Sequence, residues 1–338
     1  MGSRLPPMPR ISEIVKLYRL SATKKLSQNF LLDMNVCHKF VNCISVTKGS
    51  HICEVGPGPG GITRALLESD AEKVHVIEKD KRFLPPLEAL RAASGGRLDV
   101  HLGDAKYFDM HSLFPPYCAR PWQKMTPKVN IVGNLPFNVS LGLLLKWLEQ
   151  ISKKSGPWQL GRVPLTLTFQ HEVAERILAD VDSEHRCRLS IMSQYLCKIK
   201  YRYHIPGKVF VPAPKVHAAV LYIEPLNTPL IDQPFSLVEK VVSTIFHYRQ
   251  KHIKRGAQDL FPPIMSNLVD DFFKISRVDP TKQSFRLSME EWRELCYAYE
   301  QLCLLNPGLI DYNYREPRAK HMLTTSPLVR TSNLNELQ

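Results

Sequence analysis

The sequence predicts an α/β protein, in which a mixed sheet with crossover helices precedes a small helical domain. Three observations support this fold class. Between residues 51 and 148, short β-rich runs alternate with helical patterns, as is typical of parallel strands joined by helices. A glycine-rich turn, Glu54–Gly61, follows the first of these runs. After the proline-rich segment Pro225–Pro234, apolar residues recur only at helical spacing.

Seven strands are predicted, with helices between most of them. The strands are Ile52–Val55, Val74–Ile77, Leu98–Leu102, Val129–Val132, Leu165–Phe169, Ile199–Ile205 and Ala218–Ile223. The helices between them are Ile62–Glu68, Arg82–Ala93, Val139–Leu148, His171–Leu178 and Leu189–Leu196. The last two strands are close enough in sequence to pair antiparallel at the edge of a mixed sheet. Three further helices, Ser236–Tyr248, Ile264–Phe273 and Met289–Leu304, predict the helical domain.

These elements define four parts of the chain. Residues 1–27 form a basic arm, in which Ile11, Ile14 and Val15 recur at helical spacing. The arm is either an import signal or a docking helix. We expect a sheet-containing domain over 28–226, a small helical domain over 234–305 and a polar tail over 306–338. Met110–Lys128 lacks a sustained period and predicts a long surface connection.

Composition restricts the possible functions. The 45 Lys and Arg residues outnumber the 32 Asp and Glu residues, giving a net charge of +13 that favours a polyanionic partner. Apolar stretches such as Leu141–Leu145 are far shorter than a membrane span, so we expect no transmembrane segment. The net charge alone suits either nucleic acid or an acidic membrane surface, and of these we expect nucleic acid and no membrane as the partner. The eight cysteines form no C-x-x-C pair and no Cys/His ligand spacing, so we expect buried free thiols and no metal site.

The glycine-rich turn predicts a nucleotide site. It lies between a predicted strand and a predicted helix, and from Gly56 it matches the G-x-G-x-x-G pattern of dinucleotide oxidoreductases. However, Pro57 and Pro59 have no N–H to donate to a pyrophosphate. The turn therefore favours an uncharged sugar, as in an adenosyl ligand, although a nicotinamide oxidoreductase remains an alternative.

Two acids follow neighbouring strands. Glu78 ends the second predicted strand, where a carboxylate could accept hydrogen bonds from both ribose hydroxyls. Asp104 follows the third strand and could accept a hydrogen bond from an adenine amino group. Both acids would suit NAD as well as an adenosyl sulfonium, and each could instead cap a helix.

Asn134–Phe137 is the most specific motif in the chain. It follows the fourth strand, so it is expected to face the ligand crevice. The Asn134 side-chain oxygen and the Leu135 carbonyl can accept from an exocyclic amino group, Pro136 sets the turn, and Phe137 offers a face for a purine. This set favours methylation of an aromatic amine. Such a reaction depends on alignment of the amine with the methyl donor and requires no general base. The alternative is a tight strand-to-helix turn with Asn134 as a cap.

Together these motifs resemble the rRNA adenine N6,N6-dimethyltransferases, a family of class I S-adenosylmethionine enzymes. The resemblance runs from about residue 10 to 305 and is carried by Gln28–Leu31, Glu54–Gly61, Glu78-Lys79, Gly103-Asp104, Asn134–Phe137, Phe169–Arg176 and Phe210–Val216. Gly133–Ser140, Arg188–Cys197 and Tyr312–Glu316 are similar to the animal mitochondrial branch, also called mitochondrial transcription factor B. Phe137 stands where many members have Tyr, and Gln250 where relatives often have a basic residue.

The resemblance implies a Rossmann-like fold, S-adenosylmethionine as cofactor and a mitochondrial location. It implies as substrate two adjacent adenines in the hairpin loop near the 3′ end of small-subunit rRNA, with the assembling small ribosomal subunit as partner and a monomeric enzyme. The implied catalytic residues are Asn134, Leu135, Pro136 and Phe137. The implied or inferred cofactor-binding residues are Gln28, Asn29, Leu31, Glu54, Gly56, Gly58, Glu78, Lys79, Asp104, Ala105 and Asn134.

Basic residues predict the RNA contacts. Lys198, Lys200 and Arg202 alternate with apolar residues and would share one face of a strand. Lys251, Lys254 and Arg255 would share one face of a helix. The expected RNA-binding residues are Lys24, Lys25, Arg176, Lys198, Lys200, Arg202, Arg249 and Lys251. Either basic face could instead simply be solvated. An alternative function is a nucleic-acid-binding factor in transcription or ribosome assembly that keeps the cofactor pocket but has little turnover.

Overall fold

The structure is a computed structural model that describes residues 5–22 and 28–316. These residues form two compact units. The first comprises the described parts of Met1–Asp180 together with Glu184–Leu230, and the second comprises Val181–Ser183 and the described part of Ile231–Gln338. The first unit contains the sheet, and the second contains helices and short turns.

Nine strands are described, in two sheets: β1 Phe30–Leu31, β2 Ser50–Val55, β3 Ala71–Glu78, β4 Leu98–Leu102, β5 Val129–Gly133, β6 Leu165–Gln170, β7 Cys197–Ile205, β8 Phe210–Val211 and β9 Ala218–Pro225. The large sheet has seven strands in the order β4-β3-β2-β5-β6-β9-β7. Its first five strands are parallel, and β9 runs antiparallel to both neighbours. The predicted mixed seven-stranded sheet is confirmed, with β7 at its edge.

The first unit contains helices α1 Ile11–Leu17, α2 Met34–Val41, α3 Gly61–Leu67, α4 Leu84–Ala93, α5 Phe137–Ser152, α6 His171–Leu178 and α7 Arg188–Gln194. The second contains α8 Phe235–Phe246, α9 Ile253–Ala257, α10 Leu268–Ser276 and α11 Met289–Leu305. Helix α10 begins later than predicted, because a 3₁₀ turn occupies Pro263–Met265. Helix α2 was not predicted, although Asp33 caps its first turn.

The core lies on both faces of the central strands. All residues of β2 and β5 are buried, as expected of parallel strands covered by helices on both sides. Helix α3 is also entirely buried. This burial explains why the apolar runs of β2 and β5 were recognisable in the sequence, and it holds the carboxyl ends of these strands in fixed positions.

Two predictions for the connecting segments need correction. The Met110–Lys128 connection is not confined to the surface, since Met110, Phe114 and Cys118 are buried. The polar tail does not begin at Asn306, because Leu309 and Tyr312 are buried and the Leu309 carbonyl accepts a hydrogen bond from the Tyr299 hydroxyl at 3.2 Å. Both segments therefore contribute buried side chains to the packed part of the protein.

The described part of the basic arm packs against the rest of the first unit. Ile11 and Ile14 of α1 are buried, and Arg64 Nη1 donates to the Pro9 carbonyl at 2.8 Å. These contacts support the docking-helix interpretation of this segment. Within the described ranges, none of the helices is both long enough and apolar enough to cross a bilayer.

Candidate active site

A cavity lies at the carboxyl ends of β2, β3 and β5, where ligands bind in open α/β sheets. The open space of this cavity, including solvent at its mouth, is about 530 Å³. Nine of the predicted residues line it: Gln28, Asn29, Leu31, Glu54, Gly56, Gly58, Glu78, Asn134 and Pro136. Phe30, Pro57, Pro59, Gly61 and Ile62 complete its described lining.

The glycine-rich turn forms one wall of this cavity. Gly56 has a φ of +70°, and no atom lies within 4 Å of the position that a Cβ would occupy there. The backbone conformation therefore favours glycine, and the space beside it is open to a ligand. Glu78 holds the turn in place, since its Oε2 accepts a hydrogen bond from the Gly58 N–H at 3.0 Å.

The segment Gln28–Leu31 forms the opposite wall. A Cβ on Gly61 would lie 2.6 Å from the Leu31 carbonyl oxygen, so glycine is required for this close approach. Phe30 and Leu31 form β1, which pairs antiparallel with β8. Gln28 Nε2 donates to Asp80 Oδ2 at 3.2 Å. The segment Gln28–Leu31 therefore contacts the glycine-rich turn, strand β8 and Asp80, which are far apart in sequence.

Asn134 is held at the end of β5 by two hydrogen bonds. Its Nδ2 donates to the Asn29 carbonyl oxygen at 3.1 Å, and its Oδ1 accepts from Thr168 Oγ1 at 2.8 Å. A carbonyl can only accept, so the amide nitrogen must face Asn29 and the amide oxygen must face Thr168. Thr168 is fully buried on β6. Sequence analysis missed Thr168, although it lies on a predicted strand.

Two residues of the cavity lining, Glu54 and Glu78, have buried carboxyl groups. Burial raises the pKa of Glu54 to about 8, Glu78 adds to this effect, and a hydrogen bond from Thr63 Oγ1 at 2.6 Å opposes it. Burial also raises the pKa of Glu78, against hydrogen bonds from the N–H groups of Asp80 and Gly58. A cationic ligand in the cavity would stabilise the ionised form of both groups.

Lys79, Asp104 and Ala105 do not line the cavity. Lys79 Nζ forms an ion pair with Asp104 Oδ2 at 2.8 Å, and this contact is the main cause of the lowered pKa of Asp104. Two residues of the Asn134–Phe137 motif also lie outside the lining. The Leu135 side chain is buried, and Phe137 is half-buried at the start of α5.

Among the described residues of the first unit, the predicted basic residues are exposed. Lys198 and Lys200 alternate on β7 as expected, but a register shift between Tyr201 and Tyr203 interrupts the alternation at Arg202. The Arg202 guanidinium lies 5.1 Å from the centroid of the Tyr222 ring. Arg176 forms an ion pair with Glu172 on α6. Lys24 and Lys25 lie outside the described residues.

The predicted basic helix face of the second unit is wrong. Helix α9 begins at Ile253, so Lys251 precedes it and cannot share a helical face with Lys254 and Arg255. Lys254 instead pairs with Asp270 at 2.9 Å, and the Arg255 guanidinium lies 4.4 Å from the centroid of the Tyr248 ring.

Arg249 and Lys251 lie in the turn between α8 and α9. The Arg249 guanidinium stacks on Phe285 at 4.6 Å from the ring centroid, while Lys251 is exposed.

The sheet order, the glycine-rich turn and the cavity at the carboxyl ends of the strands are those of the class I S-adenosylmethionine-dependent methyltransferase fold. The family model described as ribosomal RNA adenine dimethylase matches residues 19–294. The chain therefore belongs to the ribosomal RNA adenine dimethylase family.

Curated relatives agree with this family. The chain is 48% identical over 314 residues to dimethyladenosine transferase 1, mitochondrial, of Xenopus laevis, covering 93% of this chain and 91% of the relative. It is 46% identical to the protein of that name from Homo sapiens, covering the same shares of each chain. A Plasmodium falciparum dimethyladenosine transferase structure has the same fold at 20% identity, with a TM-score of 0.61 over 80% of this chain and 96% of that one.

Proposed function

We propose that this chain dimethylates N6 of two adjacent adenines in the hairpin loop near the 3′ end of mitochondrial small-subunit rRNA. Methylation of adenine in ribosomal RNA is the activity of its family. The mitochondrial names of its animal relatives support the location. The hairpin and the small ribosomal subunit as partner rest on the resemblance of the sequence motifs, as does action as a monomer.

The cavity fits S-adenosylmethionine, which supplies an electrophilic methyl group on a sulfonium. Gly56 leaves room for the ligand where a side chain would block it. Each carboxylate oxygen of Glu78 accepts one backbone hydrogen bond, from Gly58 or from Asp80, and keeps a further lone pair for a ribose hydroxyl. Glu54 and Glu78 place acidic groups in a buried environment, where interaction with a cation is stronger than in water. We propose that Lys79, Asp104 and Ala105 border the adenine end of this ligand.

Asn134 positions the adenine amine in this proposal. The N6 lone pair is delocalised into the ring, which makes the amine a weak nucleophile. When Asn134 Oδ1 and the Leu135 carbonyl accept the two amino hydrogens, they favour a pyramidal nitrogen with its lone pair directed at the methyl group. The chain then contributes alignment and proximity, and no general base is required, since the N6 proton becomes acidic only after methylation. Pro136 sets the turn and Phe137 provides a stacking face.

The observation that carries this proposal is the fixed orientation of the Asn134 amide beside the cavity. Asn29 and Thr168 together determine which end of the amide is the oxygen. Asn29 belongs to the cavity wall, so the position of the amide is tied to the cofactor site. A side chain that only capped a helix would not need this double restraint.

Exposed cations on β7 are proposed to hold the RNA. Lys198 and Lys200 can contact phosphates, and Arg202 is held by Tyr222. Phosphate contacts supply affinity and position, while the flipped adenine supplies the chemistry. We propose the same role for Arg176 on α6 and, in the second unit, for Arg249 and Lys251.

Methyl transfer from labelled S-adenosylmethionine to the small-subunit rRNA hairpin tests the function. We expect N6,N6-dimethyladenosine, identified by nucleoside mass spectrometry, from the wild type and from Asn35→Ala, which alters an exposed asparagine at the start of α2. We expect none from Asn134→Ala. Binding of RNA and cofactor by the wild type without methylated adenosine would instead support a non-catalytic nucleic-acid-binding factor.

A further inference from the structure

Strands β3 and β4 bring two histidines and an aspartate together away from the cavity lining. His75 pairs in register with Asp99, and Ile77 pairs with His101. Side chains two residues apart share a face of a sheet, so His75, Asp99 and His101 lie on one face. One nitrogen from each histidine and one oxygen of Asp99 lie within 4.8 Å of one another. They form a single cluster although 23 residues separate His75 from Asp99.

His75 is buried within this cluster. It is only 6% exposed, and neither ring nitrogen has a hydrogen-bond partner among the described residues. Its Nδ1 lies 3.5 Å from Asp99 Oδ2. The Nε2 of His101 is likewise buried and lacks a hydrogen-bond partner among the described residues. Buried polar atoms normally have a partner, so these nitrogens point to a ligand that would satisfy them.

The surroundings restrict what this ligand can be. Lys73 Nζ contacts Asp99 Oδ1 at 2.9 Å, which leaves Oδ2 on the side of His75. Phe114 packs edge-on against His75, and Phe108 packs against His101. Neutral imidazole and carboxylate together form a typical donor set for a divalent transition metal.

We propose that His75, Asp99 and His101 bind a divalent transition-metal ion, with Zn²⁺ as the preferred occupant and water completing its coordination. Zinc–ligand bonds of about 2.0–2.2 Å require the three donor atoms to approach one another by roughly 1–1.5 Å. Rotation of Asp99, whose side chain is 42% exposed, allows this movement. The ion links β3 to β4, the edge strand of the sheet, and its role is structural.

Metal binding is tested on full-length protein treated with EDTA, in the absence of cofactor and RNA. Zn²⁺ is titrated against a chromophoric chelator, and thermal unfolding is followed in parallel. We expect one equivalent of Zn²⁺ to bind and to raise the melting temperature, because a ligand of the native state stabilises it. Absence of stoichiometric binding overturns the proposal and leaves the histidines as packing residues.

The ligand set is tested by substituting Asp99 and His101, which are partly exposed, rather than His75, which is buried. Asp99→Asn and His101→Gln should each weaken Zn²⁺ binding by at least about tenfold. Lys73→Gln should strengthen binding, because it removes a cation from Asp99. His38→Gln, at an exposed histidine that contacts Glu68 at 2.7 Å, is the matched control and should bind as the wild type does. Equal affinity in Asp99→Asn, His101→Gln and the wild type would overturn the assignment.

Co²⁺ provides a second readout, because its spectrum reports the donor atoms. We expect weak visible bands from nitrogen and oxygen ligands. An intense near-ultraviolet charge-transfer band would indicate a thiolate ligand and would assign the metal to cysteines instead. The proposal is independent of methyl transfer, so its failure leaves the proposed function untouched.

Discussion

We propose that the Asn134 site and strand β7 both bind the substrate, and the two regions hold their side chains in different ways. Both ends of the Asn134 amide are hydrogen-bonded to groups from other segments, one of them fully buried. Lys198 and Lys200 on β7 are exposed to solvent. The chemistry depends on a fixed geometry, whereas phosphate contacts depend on charge and tolerate movement. A single substitution should therefore be severe at the first site and mild at the second.

Asn134→Ala should cause the largest effect. It removes an acceptor for the adenine amine and the hydrogen bond to Asn29, so we expect kcat to fall about a thousandfold. Cofactor binding should change much less, because most of the cavity lining remains. Single-turnover methylation and equilibrium binding of S-adenosylmethionine measure the two quantities. Comparable losses in both would indicate that Asn134 mainly shapes the cofactor site.

Thr168→Val should have the next largest effect. Valine keeps the shape of the side chain but cannot donate to Asn134 Oδ1, so the amide loses the restraint that fixes its orientation. We expect kcat to fall by about thirtyfold, with little change in the KM for S-adenosylmethionine. Thr168→Ser retains the hydroxyl and should recover most of the activity. If Thr168→Ser were as impaired as Thr168→Val, the role of Thr168 would be packing.

Glu54→Gln tests the buried interior of the cofactor site. The pKa of Glu54 is raised from 4.5 to about 8, so between these values the folded protein keeps a proton that the unfolded chain releases. The contribution of Glu54 to stability is thus fully present below pH 4.5 and is lost as pH rises towards 8. We expect the free energy of unfolding of the wild type to fall by about 1 kcal/mol per pH unit more than that of Glu54→Gln.

Urea unfolding of the cofactor-free protein between pH 5.5 and 7.5 measures this difference. Glu149→Gln is the matched control, because Glu149 is a partly exposed glutamate that pairs with Lys153 on α5. The control should follow the wild type. Parallel curves for the wild type and Glu54→Gln would mean that Glu54 is already ionised in the folded protein.

The features that the sequence could predict are those carried by contiguous residues. The glycine-rich turn, Glu78 and Asn134–Phe137 are contiguous motifs placed directly after strands, and the buried runs of β2 and β5 identify those strands. Strands β1 and β8 have only two residues each, so their pairing depends on tertiary packing. Thr168 is one of several residues that alternate along β6. Only its hydrogen bond to Asn134, at the end of the neighbouring β5, distinguishes it from the others.

The basic residues were harder to predict because their positions depend on local breaks in regular structure. A register shift disturbs the alternation on β7 at Arg202, and the late start of α9 separates Lys251 from the residues predicted to share its face. Cysteine spacing led to the expectation of no metal site. The His75, Asp99 and His101 cluster escapes such a search, because strand register rather than local spacing brings its members together.

Lys200→Gln should have the smallest effect, since one exposed phosphate contact contributes little by itself. We expect RNA affinity to fall about threefold at physiological salt, kcat to remain unchanged, and the slope of log affinity against log salt to decrease by about 1. Lys153→Gln removes a charge that is already paired with Glu149 and is the matched control. A large fall in kcat for Lys200→Gln would show that β7 helps to position the adenine, and the contrast between the two regions would then fail.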